Sequence, residues 1–433
     1  MESKREFDLI LLGPTGYTGR LCAEHIVKNF PTGLKWALAG RSLQKVGDVA
    51  KELKNLNPDR VEPANIVDLL LEILAVQLNR EELHSLAQKC RVLLNCVGPY
   101  HLYSTPVVEA CASNGTHYLD VQALDAMANL CSTGETPWIK SIIEKYHETA
   151  KSNGAIIIPS VGVESAPADM LSWALVKRIR EELSCDTKEV TCAIDELKSS
   201  GASGGTLATI MTMFDTLSLF DILKAADPFA LAASSPPKSI PSEPLAEKVL
   251  GVRSVRDMGT LTTAPTAIAD ITIVHRSSTL MPEFYGRRFH FRQFLRVRNV
   301  LIGVALHFAF VTGLLLLLLP PVRWLLKKYI YAPGSGPRME DSVNDRLVYR
   351  AVATADQDTP HPKRALGKLK YDGTMYVFTG LLLAEAAMTI LENEEKVKKV
   401  SRCGLVTPAT LGQEFIDRLE KVGCQIETEV FNY

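Results

Sequence analysis

The sequence predicts an α/β protein. A Rossmann-type doubly wound parallel sheet is followed by a second α/β domain with a mixed sheet, and that second domain carries a hydrophobic segment. Three observations lead there. Through the first 160 residues short apolar runs alternate with amphipathic helical stretches, the pattern of strands buried on both faces by the helices that connect them. A glycine-rich turn, Gly13-Pro-Thr-Gly-Tyr-Thr-Gly19, joins the first run to the first helix. The chain is 433 residues long, more than one ordinary core, so a second domain is expected.

In order, Phe7–Leu12 is a strand and about Tyr17 to Asn29 a helix, with Ala23, Ile26, Val27 and Phe30 at helical spacing. Leu34–Ala39 is the second strand and Leu43–Leu53 the next helix. Glu72–Leu78, Arg91–Val97, His117–Val121 and Ala155–Val161 are further strands. Beyond Val163 the pattern loosens: a helix at Ala168–Glu182, a strand at Glu189–Asp195, a small-residue loop at Ser199–Thr206 and a helix to about Leu223. A surface excursion follows at Asp227–Glu247, rich in Pro, Ser and Ala. The last hundred residues return to mixed α/β, with helices at Val377–Glu392 and Leu411–Val422. The domains expected are 1–160 and 161–433. Within the second, 299–331 is a membrane-associating segment, and 404–433 is expected to pack back on the first domain.

Composition narrows the function. Apolar residues at 46% and charged residues at 22% exclude a disordered chain. A net charge of -1 argues against a nucleic-acid partner, which asks for a basic face. The nine cysteines form no CxxC pair, so neither a metal site nor a disulfide framework is expected. The first strand begins so early that no cleaved targeting peptide is expected.

Chemistry is carried first by the glycine turn. Gly13 permits the tight turn, Gly16 lets the backbone approach a pyrophosphate, and Gly19 allows helix and strand to pack closely. With Thr15, Tyr17 and Thr18 between them, they place helix N-terminal amides against the anion. The spacing is GxxGxxG rather than GxGxxG, and a glycine-rich turn in some other α/β protein is the alternative. The second strand then selects the cofactor. An NAD site would place a carboxylate there for the ribose 2′-hydroxyl, but the chain reads Ala39-Gly40-Arg41-Ser42 with no acid before Asp48. Arg41 can pair with a 2′-phosphate and Ser42 can add a hydrogen bond. The expectation is NADP(H), with NAD less favoured and a merely solvated arginine as the alternative. Asn95-Cys-Val-Gly98-Pro99-Tyr100 ends another strand on the edge where open α/β sheets bind ligands, so Asn95, Gly98, Pro99 and Tyr100 join the cofactor candidates. The same residues can also be a plain strand-terminating turn. His101 and His117 flank strand ends and can titrate near neutrality, though a lone histidine is more often structural.

In this order, Gly13–Gly19, Ala39-Gly40-Arg41, Asn95–Tyr100, His117-Tyr-Leu-Asp120, Pro159–Asp169, Ser203-Gly-Gly-Thr206 and Gly404–Gly412 resemble saccharopine dehydrogenase-like oxidoreductases over nearly the whole chain. The resemblance is nearest to a membrane-associated eukaryotic branch. It implies a substrate held between a Rossmann domain and a second α/β domain of substrate-binding and dimerisation type. Tyr100, Asp120, Glu164, Ser165 and Asp169 are then the substrate candidates, with Ser160 beside them and no catalytic acid or base assigned. Asp169 has a second reading as a helix N-cap. Two departures leave the substrate open: Val121-Gln-Ala-Leu stands where many relatives carry Gly-Glu, and Glu164 stands where an aspartate is common.

Val300–Leu319 is uncharged over twenty residues, long enough to cross a hydrocarbon core. Arg287, Arg288, Arg292, Arg296 and Arg298 precede it, and Arg323, Lys327 and Lys328 follow. A true span would separate parts of one globular body, so a hairpin or shallow insertion into one leaflet is expected. Pro320-Pro321 would break the helix, and Val322–Tyr331 would lie at the interface. A buried core helix is the alternative. The expected protein is an NADP(H)-dependent oxidoreductase on a membrane or lipid-droplet surface. Its place is a lipid droplet or the cytosolic face of the endoplasmic reticulum, with a mitochondrial or other organelle membrane second. Its substrate is a lipid-like carbonyl, imine or enoyl compound. A catalytically silent nucleotide-binding scaffold and saccharopine metabolism are the alternatives, and a homodimer is left open.

Overall fold

Phe7 and Leu9–Leu12 are all buried, so β1 (Phe7–Leu12) needs cover on both faces. The computed structural model describes residues 5–57, 71–75, 77–121, 135–200, 227–236, 244–264, 266–327, 342 and 344–431. In it β1 pairs in parallel with β2 (Trp36–Gly40) on one side and β4 (Cys90–Asn95) on the other. β3 (Leu71–Ala75) lies outside β2, while β5 (His117–Asp120) and β6 (Ile156–Ile158) follow β4, all parallel. The order β3-β2-β1-β4-β5-β6 reverses direction between β1 and β4, which is where such sheets open a ligand crevice beyond their carboxyl ends. The connecting helices are α1 (Tyr17–Asn29), α2 (Leu43–Leu56), α3 (Arg80–Lys89), the short α4 (Tyr100–Tyr103), α5 (Thr105–Asn114) and α6 (Glu135–Ser152). The doubly wound sheet expected from the sequence is therefore present.

A second, mixed sheet has β7 (Thr187–Lys198) at its centre. β10 (His290–Val297) runs parallel to β7 on one side, and β11 (Arg346–Ala355) runs antiparallel on the other. β9 (Gly259–Thr263) and β8 (Val252–Val255) complete one flank; β12 (Arg364–Asp372) and β14 (Gln425–Phe431) complete the other. α7 (Ala166–Leu183) lies across this sheet so closely that a Cβ on Gly367 would come within 2.9 Å of the Leu171 side chain. Between β9 and β10 lie α9 (Ala267–Leu280) and the four-residue α10 (Pro282–Tyr285). Beyond Ser200, the predicted loop and helix to Leu223 lie outside the described residues, as do 237–243 of the surface excursion.

The C-terminal quarter serves both sheets. α13 (Met375–Ser401) packs along α1 backbone to backbone: a Cβ on Gly380 would sit 2.8 Å from the Cys22 nitrogen. It continues past the predicted end at Glu392 through a kink at Asn393. His25 Nε2 meets Glu385 Oε1 at 2.7 Å, and Arg91 donates to the Leu391 carbonyl at 3.2 Å and to Glu394 at 2.8 Å. β13 (Gly404–Leu405) then joins β6 as a seventh parallel strand. After α14 (Gly412–Lys421), β14 crosses back to the second sheet.

The apolar segment forms α11 (Val300–Leu317), opened by Asn299, whose side chain accepts from the Ile302 amide. One stripe rests on the flank of the second sheet. Thr262 Oγ1 donates to the Gly303 carbonyl at 2.8 Å, and His307 Nδ1 lies 2.8 Å from Thr263 Oγ1. The rest faces outward: Leu301 is 82% exposed and Leu315 59%, with only Gly303 and Leu317 buried. The core-helix alternative is thereby corrected, because a core helix buries most of its surface. Helix ends at Leu317 and restarts at Pro320 as α12 (Pro320–Lys327), which exposes Trp324 and Leu325. Residues 328–331 lie outside the described ones. Nearby, α8 (Leu245–Leu250) also exposes Leu245 and Val249.

Candidate functional site

Two loops meet at the crevice between β1 and β4. Gly13 has φ +86°, and a Cβ there would lie 2.8 Å from Val97 Cγ2 and 3.1 Å from the Cys96 carbonyl. A Cβ on Gly19 would come 2.2 Å from the Gly13 oxygen. Both glycines are therefore demanded by the protein's own packing. Gly16 is different: a Cβ there would make only ordinary contacts, at 3.5 and 3.8 Å. Its bareness serves the open side of the loop, where a ligand backbone would approach. Gly16 caps α1 without a side-chain bond, no acid lies in the first turn, and the first intrahelical bond runs from the Arg20 amide to the Gly16 carbonyl. The preceding amides thus form a positive N-terminus suited to a phosphate. Thr15 is exposed and Thr18 half-buried. Tyr17 sits edge-on to Tyr376 of α13 at 5.1 Å, and burial raises its phenol above the ordinary value.

At the end of β2, Arg41 is exposed, and among the described residues no carboxylate or other partner holds its guanidinium. Ser42 caps α2 by accepting from the Lys45 amide at 3.4 Å, which leaves its hydroxyl proton free to donate. The open first turn of α1, an arginine beyond β2 that is unpaired among the described residues, and no acid at that strand end all fit NADP(H). Among the described residues no group of three or more metal-ligating side chains occurs, and their eight cysteines are free.

The Asn95–Tyr100 loop divides its labour. Asn95 is fully buried, a correction to its expected place against the cofactor. Its amide donates to Ser104 Oγ at 2.8 Å and to Tyr118 OH at 3.0 Å, while Oδ1 accepts from the Val97 amide. It braces the loop from beneath. Gly98 is exposed and Pro99 half-buried just beyond the carboxyl end of β4, the end on which the crevice opens. Tyr100 is buried, its ring 6.3 Å from that of Trp138.

The substrate candidates lie deeper than a contact role alone predicts. Tyr118 OH donates to Asp120 Oδ2 at 2.7 Å and the Ser160 amide donates to Oδ1 at 2.8 Å, fastening the ends of β5 and β6 together. Burial pushes the Asp120 carboxyl up to about 7. Asp169 lies inside the first turn of α7, so the N-cap reading is corrected: Ser165 holds that position, with no side-chain cap bond. Asp169 instead accepts from Ser277 Oγ at 2.6 Å and the Ala409 amide at 2.7 Å, tying α7 to α9 and to the turn after β13. Burial raises it to about 7 as well. Glu164 is buried, and Ser165 Oγ is buried without a hydrogen-bond partner.

The strand direction separates the two histidines. His117 opens β5 on the edge away from the crevice, where Nδ1 accepts from the Ile156 amide and Nε2 lies 3.2 Å from Glu394. It is a structural residue. His101 belongs to α4, directly beyond the Gly98-Pro99 turn, and faces Glu135 with 3.9 Å between Nδ1 and Oε1. Burial raises the Glu135 carboxyl, with His101 acting in the opposite direction. Sequence reading missed Glu135, because nothing in the sequence links two residues 34 positions apart in different helices.

Residues 9–158 match the model of the saccharopine dehydrogenase NADP binding domain. Over the full length the chain is similar to a putative trans-acting enoyl reductase of Mycobacterium tuberculosis, 29% identical over 448 residues and covering 98% of each chain. A trans-acting enoyl reductase of Mycobacterium bovis is 28% identical over 452 residues, again with 98% of each covered. Among solved structures, apo saccharopine dehydrogenase (L-Glu forming) from Saccharomyces cerevisiae superposes with a TM-score of 0.55 over 98% of this chain and 100% of that one. Identity there is 11%, a likeness of fold. With that NADP-binding domain matched over residues 9–158, on a crevice whose glycines and Arg41 fit the cofactor, the chain is an NADP-binding oxidoreductase that is similar in sequence to the enoyl reductases and in fold to saccharopine dehydrogenase.

Proposed function

We propose that this oxidoreductase is an NADPH-dependent reductase held on the surface of a membrane or lipid monolayer, where it reduces a polarised double bond in a lipid-like molecule. The observation that carries the reading is α11, an apolar helix of which one stripe alone touches the protein. An exposed apolar patch of this extent marks a surface that water does not normally cover. Trp324 and Leu325 of α12 and Leu245 and Val249 of α8 extend it. Connectivity favours insertion without crossing. β10 leaves the second sheet at the end where Leu295 pairs with Ile194, and β11 re-enters at the same end, where Arg346 pairs with Lys198. Both ends of the segment are thus rooted on one sheet edge, on one side of any bilayer. Lipid droplets, which are bounded by a monolayer, and the cytosolic face of the endoplasmic reticulum suit such an anchor. The substrate class draws on the relatives named as enoyl reductases, and a greasy surface beside the second domain suits delivery of an acyl chain.

Flotation with anionic phospholipid vesicles tests the anchor. The wild-type chain should float, and Leu301→Glu with Leu315→Glu should remain at the bottom with an unchanged melting temperature, since both side chains are exposed. Flotation of the double variant at the wild-type level would defeat the anchor. NADPH oxidation on adding a medium-chain trans-2-enoyl thioester in those vesicles tests the chemistry. Absence of oxidation with the thioester and with the corresponding aldehyde would defeat the reductase reading.

A further inference from the structure

We infer that His101 is the proton donor of this reductase and that Glu135 orients it; the inference rests on the reductase reading above. Adding a hydride to a polarised double bond is half of a reduction. The other half is a proton, which a side chain beside the crevice has to supply.

The geometry singles out one pair. Among the described residues, both ring nitrogens of His101 and Oε1 of Glu135 are buried without a hydrogen-bond partner. Their side chains are 12% and 2% exposed, with Nδ1 and Oε1 3.9 Å apart. Buried polar atoms are nearly always satisfied, and an imidazole and a carboxylate left orphaned together ask for a further partner. The pair lies beside the crevice, with His101 one residue beyond the loop that borders it. α4 begins directly after the Gly98-Pro99 turn, and Glu135 opens α6 against it.

Among the described residues, the titratable groups around Glu135 and around Tyr100, which precedes His101, are Cys96, Tyr100 and Asp120. Of these, Asp120 is committed to Tyr118 and Ser160, and burial raises the Cys96 thiol to about 12 and the Tyr100 phenol well above its ordinary value. Both stay protonated near neutrality, and His101→Ala, which leaves them in place, separates them from the imidazole as donor. An imidazole with a carboxylate at Nδ1 and its other nitrogen unbonded has the build of a general acid with its orienter.

For an α,β-unsaturated carbonyl the balance is direct. Hydride from NADPH forms the new C–H bond at the β carbon, and the π pair shifts toward the α carbon and the carbonyl oxygen. The N–H bond of His101 Nε2 then breaks as its proton forms the α C–H bond. NADPH is oxidised to NADP+, the double bond is reduced, and the neutral imidazole regains a proton from solvent.

The full-length protein in phospholipid vesicles, with NADPH and the trans-2-enoyl thioester, tests this. His101→Ala should bind NADPH and melt like wild type, yet oxidise it about 10²- to 10⁴-fold more slowly, the range for loss of a general acid. Added imidazole should restore part of the rate, and Glu135→Gln should shift the pH profile with a smaller loss. Independently of turnover, the His101 ring ¹⁵N resonances of wild type, assigned by their absence from His101→Asn, should move when the saturated thioester is added with NADP+. Turnover by His101→Ala close to wild type and indifferent to imidazole, or resonances that stay in place, would overturn the inference while the reductase reading stands. Loss of NADPH binding or a lower melting temperature in both His101 variants would assign the histidine a structural role and overturn it too. Failure of wild-type turnover with both thioester and aldehyde would remove the reductase reading, and the inference with it.

Discussion

Gly19→Ala puts the two-loop crevice under direct strain. The new methyl carbon would stand 2.2 Å from the Gly13 oxygen and 3.1 Å from Cys96 Cβ, where real Cβ contacts essentially never fall below 3.0 Å. The atom in the way is backbone, so no side chain can swing aside. Relief requires α1 and the Gly13 turn to part by about 1 Å, and overpacking of that kind costs about 1–3 kcal/mol. At roughly 2–4 °C per kcal/mol for a body of this size, the melting temperature should drop by several degrees. Cofactor affinity should fall further, because the displaced turn carries the amides that would hold the pyrophosphate. Weakening one such charge-assisted bond, worth about 1.5–3 kcal/mol, raises the NADPH dissociation constant about ten- to hundredfold. Gly33→Ala is the control, since nothing lies within 4 Å of its Cβ position. Thermal melts and fluorescence titrations with NADPH would read both effects. If Gly19→Ala melts and binds as Gly33→Ala does, the close-packing account of the third glycine is refuted.

Arg41→Ala should raise the NADPH dissociation constant about ten- to hundredfold and leave NADH binding and the melting temperature unchanged, since the guanidinium holds nothing else among the described residues; equal losses for both nucleotides would count against the 2′-phosphate role. For the buried carboxyls Asp120 and Asp169, folding lifts the pKa from 3.8 to about 7, so the native state keeps a proton that the unfolded chain has lost. Stability therefore falls as pH rises from about 4 to 7 and is level above that. About 3 pH units at 1.4 kcal/mol each give roughly 4 kcal/mol per group. Denaturant melts across that range should show the decline, and Asp120→Asn should make it shallower. Charging the outward face of α11 with Leu301→Glu and Leu315→Glu should abolish vesicle flotation and spare folding.

Six strands of the first sheet were legible because they are short, mostly apolar runs alternating with helices, and Phe7–Leu12 has the same bounds in sequence and structure; the two-residue β13 was too short to read. In the second, mixed sheet the central strand was read as Glu189–Asp195, inside β7, but the strands around it were not. In β12 the buried residues alternate, but they include Gly367, and the other face mixes Leu366 with Arg364, Lys368, Lys370 and Asp372, so the period-two signal is thin. Helix α9 hid for the opposite reason: it buries Asp270, His275 and Arg276, residues that read as surface until their partners are known. Arg276, for example, is satisfied by the carbonyls of Leu231 and Leu405, distant segments that only the fold unites. At the site, the glycines and Arg41 could be read because their chemistry is local. The brace at Asn95 and the facing of His101 and Glu135 depend on contacts between elements, which a linear pattern does not encode.

The return of α13 and β13 to the first sheet sets an order on biosynthesis. A ribosome releases α11 while residues 375–405 are still to be made, so the apolar helix emerges when the groove along α1 is bare and the sheet lacks its seventh strand. The nucleotide-binding body is thus finished by the last quarter of the chain. A transcript truncated before that point would yield an N-terminal body with its greasy helix exposed and one face of its sheet uncovered, a product marked for the degradation machinery rather than a smaller working enzyme.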